Sequence, residues 1–170
     1  MIRDPSLRGQ ALAEFYFTVE PRLYADLEEA GVLPVRDDPA RAERVRGEWA
    51  CFALYACVRG LIAAGGFNRE TAAAIETFHE RVVAAWRDEG PDPGADETRR
   101  NRIAERYAEY GTIGQAGGAS GAATVTRRLG EAAARHMTEQ GAAPAELAEM
   151  VGALHESLAE GSAEAVRRGE

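Results

Sequence analysis

Trp49-Ala-Cys-Phe-Ala-Leu-Tyr-Ala-Cys-Val58 is a run of ten uncharged residues, set between Asp38-Pro39 upstream and Gly65-Gly66 downstream. Asp before Pro is a helix start, because the carboxylate caps free amides and proline fits the first turn. A Gly pair is a stop. A helix apolar on every side must be surrounded by others, so the run predicts the buried post of an all-α bundle of five or six helices.

The flanking sequence supplies the neighbours. Asp4-Pro5 opens a first helix in which Leu12, Phe15, Val19, Leu23 and Leu27 recur at three- and four-residue steps as far as Gly31. Pro21 falls inside it and should kink or split it near Phe17 to Glu20. The second helix spans about Pro39 to Ala64. Asn68 caps a third, from about Arg69 to Asp88, with Ile75, Phe78, His79, Val82, Val83 and Trp86 on one stripe. Pro91 to Asp96 reads as a stiff turn before a short polar helix from about Glu97 to Tyr110. Val125, Leu129, Ala133, His136 and Met137 mark a fifth helix. Pro144 opens a sixth, striped by Leu147, Met150, Val151, Leu154 and Leu158, and the tail after Gly161 is expected to fray. The first and third helices are expected to pack on the second, and the 170 residues suit one domain.

Composition bounds the function. All 20 basic residues are arginine, against 28 acidic ones, for a net charge of -8. Acidity argues against nucleic acid and anionic membrane as partners. The absence of Lys excludes Schiff-base chemistry and a Walker-type phosphate loop. An arginine-only set suits a GC-rich bacterial genome. No basic segment followed by an apolar core opens the chain, and ten uncharged residues are too few to span a bilayer, so the expected address is cytoplasmic. Cys51 and Cys57 lie about 9 Å apart along one helix, on largely opposite faces, and are expected to be inert, reduced core residues.

Glu76-x-x-His79 sets a carboxylate and an imidazole one helical turn apart, the spacing of a bundle metal site. In this one tetrad the chain resembles ferritin-like di-iron proteins, which use two such pairs together with two further glutamates. No second Glu-x-x-His exists here. The candidate ligands are therefore Glu76, His79 and His136, with convergence of all three histidines as the alternative metal arrangement. Against it stands His79 as a hydrogen-bonded core residue and His155, beside Glu156, as a surface group. Gly111-Thr-Ile-Gly-Gln-Ala-Gly-Gly-Ala-Ser-Gly121 precedes a helix carrying Arg127 and Arg128, which would suit a phosphate or carboxylate. A flexible connection, or a helix that another backbone approaches closely, is the preferred explanation of the glycines. Arg99, Arg102 and Arg106 form a basic stripe, expected to be solvated or paired with the acidic first helix. Arg59 follows the uncharged run and needs a partner, with Glu76, Glu14 and Glu20 as candidates. It would either form a structural pair or sit in a ligand pocket with Phe52, Tyr55, Phe78 and Trp86.

All twelve aromatics lie at or before Tyr110. The carboxy-terminal stripes therefore rest on smaller side chains and are free to close the bundle or meet a second copy. The expectation is a non-catalytic protein-interaction module that self-associates, with no cofactor. The opposing expectation is a small-molecule or metal site, conceivably enzymatic, where Arg59, Glu76, His79 and Trp86 converge.

Overall fold

A computed structural model describes residues 2–34, 38–89, 93–116, 121–138 and 143–168. These residues form six helices: α1 (Pro5–Glu29), α2 (Pro39–Gly65), α3 (Arg69–Glu89), α4 (Pro93–Ala116), α5 (Ala122–Thr138) and α6 (Ala145–Arg168). No strand occurs among them, and the all-α class holds.

The starts obey local chemistry. Asp4 accepts hydrogen bonds from the amides of Ser6 (2.7 Å) and Leu7 (3.2 Å), and Asp38 from those of Ala40 and Arg41 (3.1 Å each). Asn68 accepts from the Thr71 amide (2.9 Å). Each satisfies donors that a helix leaves open at its first turn. Gly66 ends α2 at φ +74°, a conformation that favours glycine.

α2 is the most enclosed element. Every residue from Glu48 to Val58 is buried, and α2 packs against all five other helices. By length and composition it could also cross a membrane, with mean hydropathy 1.2, but 72% of that window is buried inside the protein. Leu12, Tyr16 and Leu27 of α1, Phe78 and Val82 of α3, Tyr110 of α4, Leu129 and Met137 of α5, and Leu147, Val151 and Leu158 of α6 complete the core. Each large side chain removed from water contributes about 1.5–3 kcal/mol.

The pairing differs from expectation. The main cover of α2 is α6, while α1 and α3 pack chiefly on each other. Two glycines permit the close approach. A Cβ at Gly60 would overlap the Ala159 carbonyl oxygen and lie 2.8 Å from Ser162 Cβ. One at Gly130 would overlap the Ala148 carbonyl and meet the Gly152 amide at 3.0 Å. Backbones this close gain dispersion contacts that small side chains alone would not supply, which is how the aromatic-poor helices join the core.

Three boundaries also differ. α1 is not split at Pro21, which lies inside the helix. α4 begins at Pro93, where proline is tolerated, and continues past Tyr110 because Ile113 packs on the core. The chain beyond Gly161, expected to fray, is helical to Arg168. Ala163 and Val166 are buried there, and the Val166 carbonyl accepts the Ile2 amide (3.1 Å).

Candidate functional site

The quartet proposed as a pocket is dispersed. Trp86 lines a cleft between α2, α3 and α4, and Arg59 edges a different one against α6. Glu76 is exposed and lines neither. His79 faces Tyr107, its Nε2 2.7 Å from the phenol oxygen. None of Arg59's expected partners reaches it: Glu20 is held by Arg46, and Glu14 and Glu76 are exposed.

The histidines do not share a point either. They lie along a file of rings: His79 to Tyr107 (5.4 Å), Tyr107 to Tyr55 (5.4 Å), Tyr55 to His155 (6.1 Å), His155 to Phe52 (5.1 Å), Phe52 to Tyr110 (5.2 Å) and Tyr110 to His136 (6.4 Å). His136 Nε2 lies 2.6 Å from Glu109, which also takes Arg135 (3.0 Å). Among the described residues no group of three or more His, Cys, Asp or Glu is placed to hold a metal, and Glu76, His79 and His136 do not come together in one cluster. Burial pushes both cysteine thiols up to about 12, leaving them protonated.

His155 is a correction. Instead of a surface group it is fully buried, and neither ring nitrogen has a hydrogen-bond partner among the described residues. Burial, with the Arg59 charge adding to it, holds its pKa down to about 3, and burial alone holds His79 down to about 4, against the ordinary 6.5. In the window from 6.5 down to those values the unfolded chain takes up protons that the folded chain refuses, so stability falls as pH falls. Urea unfolding should show a loss of about 2 kcal/mol per histidine between about pH 7 and about pH 5. His155→Phe should remove about half of that loss without lowering stability at neutral pH, since it deletes two unpaired polar atoms. An acid limb unchanged by the substitution would contradict this assignment.

The arginine stripe of α4 is neither solvated nor turned to α1. Arg106 grips Glu48 of α2 with two prongs (2.7 and 3.0 Å), Arg102 approaches it at 3.4 Å, and Arg99 donates to the Trp86 carbonyl (2.9 Å). Glu48 is 4% exposed. Arg46 engages buried Glu20 in the same two-pronged way, with Nη2 to Oε2 at 2.7 Å. Neither buried glutamate was singled out as a site from the sequence. The available signal was a carboxylate bordering an uncharged run, together with a basic stripe whose mates are not on its own helix.

The glycine-rich segment divides. Residues 111–116 belong to α4, and a side chain at Gly114 would crowd the Tyr55 hydroxyl (3.0 Å), which donates to the Tyr110 carbonyl (2.9 Å). Residues 117–120 lie outside the described ones. Arg127 and Arg128 are exposed, with Arg127 paired to Glu131 on its own helix (2.5 Å). Arg127 also lines a groove of about 1000 Å³ between the outer faces of α5 and α6. Its floor is Ala122, Ala123, Ala145, Ala148, Gly152 and Ala153. Arg127, Glu131 and Arg135 line the groove from α5, a net positive set, and Glu149 and Glu156 from α6, a negative one. Comparison with protein-family models, with curated proteins and with solved structures returned no match.

Proposed function

We propose that this chain is a non-catalytic helical protein that binds a second copy of itself through the outer groove of α5 and α6. The apolar stripes of these helices do not supply the contact, because Leu129, Met137, Leu147, Val151 and Leu158 are buried inside the chain. What supports the groove is its construction: small side chains let a helix lie close, and the walls carry opposite charge. A surface with arginines on one helix and glutamates on the next complements its own copy under a two-fold rotation, the arrangement of an isologous dimer. A cytoplasmic address and a bacterial source belong to the same reading, the second resting on the arginine-only composition.

Sedimentation equilibrium over a range of concentrations tests it. The wild type is expected to populate a dimer. Ala153→Arg sets a bulky cation on an exposed position of the groove and should return the protein to monomer, with the far-UV circular dichroism of the folded chain unchanged and a melting temperature that no longer depends on concentration. A wild type that stays monomeric at every concentration, or an Ala153→Arg protein that dimerises as well as the wild type, would remove the proposal.

A further inference from the structure

We propose that the cleft between α2, the end of α3 and the first half of α4 binds a small monoanionic carboxylate with a flat apolar body. Its volume is about 170 Å³, below the roughly 300–1,000 Å³ of sites for drug-sized ligands. That admits a single ring or a short branched chain. Three guanidiniums, Arg46, Arg99 and Arg102, line it together with Trp86, Ile103 and Cys51. Such a lining sets an apolar ring beside guanidinium donors.

The arginines are not equivalent. Arg46 is committed to Glu20 and Arg102 leans on Glu48. Arg99 is half-buried and donates to the Trp86 carbonyl. It has no carboxylate within ion-pair distance among the described residues. A guanidinium carries five donors, so Arg99 keeps donors that the fold does not use in a place where solvent is partly excluded. Glu48 is shared by Arg102 and Arg106, and with Glu43 also on the lining these side chains are left with a single net positive charge, which matches one negative charge on a ligand. Glu43 on the rim and Glu48 behind Arg102 would oppose a dianion such as phosphate. The protonated Cys51 thiol adds no charge to the floor.

Trp86 supplies a reporter inside the site, because the other indole, Trp49, is fully buried in the core. Benzoate, its neutral isostere benzamide, and inorganic phosphate are titrated against intrinsic fluorescence, with calorimetry as the second readout. Benzoate should give a saturable change that is lost from the fluorescence of Trp86→Phe, while benzamide and phosphate give none. Arg99→Gln, at a partly exposed position, should weaken benzoate by about tenfold or more while leaving the melting temperature in place. The proposal is overturned by the absence of saturable benzoate binding, by benzamide or phosphate binding as well as benzoate, or by Arg99→Gln binding benzoate like the wild type.

Discussion

Gly60→Val is expected to destabilise the protein by about 3 kcal/mol or more, the upper end of the range for overpacking a filled core. The reason is the identity of the obstructing atoms. A Cβ at position 60 meets the main-chain carbonyl of Ala159, and a carbonyl inside a helix cannot rotate away as a side chain would. α2 and α6 must move apart, and this is the pairing that joins the carboxy-terminal helix to the core. For a chain of this length the loss corresponds to roughly 6–12 °C in melting temperature. Gly111→Ala is the control. It also lies within a helix, but nothing stands within 4 Å of its Cβ position. It should be neutral or stabilising by up to about 1 kcal/mol, because only helix propensity changes. Urea unfolding of the two variants decides the matter, and equal effects would refute close packing at Gly60.

Glu48→Ala should cost about 3–5 kcal/mol, since it strands two partly buried guanidiniums that share one carboxylate. Removing a partner from a buried pair is far more damaging than the pair's net contribution, because the remaining charge stays desolvated. Glu131→Ala breaks an ion pair with both side chains about half exposed and should change stability by less than about 0.5 kcal/mol. Adding Arg106→Leu to Glu48→Ala should recover part of the loss by withdrawing one stranded charge. If Glu48→Ala and Glu131→Ala unfold at the same urea concentration, the ion pair between α2 and α4 does not hold these helices together.

The parts of this fold legible in the sequence were those set by neighbours along the chain. Asp4, Asp38 and Asn68 cap helices because a carboxylate or amide reaches amides two or three residues on, and the period of Leu147, Val151 and Leu158 marks one face of α6. Whether a residue beside such a stripe points inward depends on how the helix is rolled against partners far away in sequence. His155, adjacent to Leu154, shows the consequence: a rotation of a few tens of degrees separates a surface imidazole from one lodged against Phe52. The α4 arginines show it again, since the stripe was visible but its turn toward Glu48 was not. Local propensity also misplaced the ends of α4 and α6. There the packing of Ile113 and Val166 outweighs the glycines beside them.

The same rolling decided the candidate sites. Arg59, Glu76, His79 and Trp86 come from two helices and point into separate surroundings. The α2–α3–α4 cleft instead draws Arg46, Arg99 and Arg102 from two helices and Trp86 from a third. The α5–α6 groove follows from close approach at Gly130 and Gly152, which brings two alanine-bearing faces side by side. In both cases the residue types were visible in the chain, whereas their juxtaposition is a property of the tertiary pairing.

The fold is organised around α2, the element that the other helices cover. Amide hydrogen exchange read by mass spectrometry tests this directly, because amides that open only when the whole molecule unfolds exchange slowest. Peptides spanning Trp49 to Leu61 should be the slowest in the protein, with a protection free energy equal to that of global unfolding in urea. Exchange there as fast as in the outer turns of α3 would contradict the account.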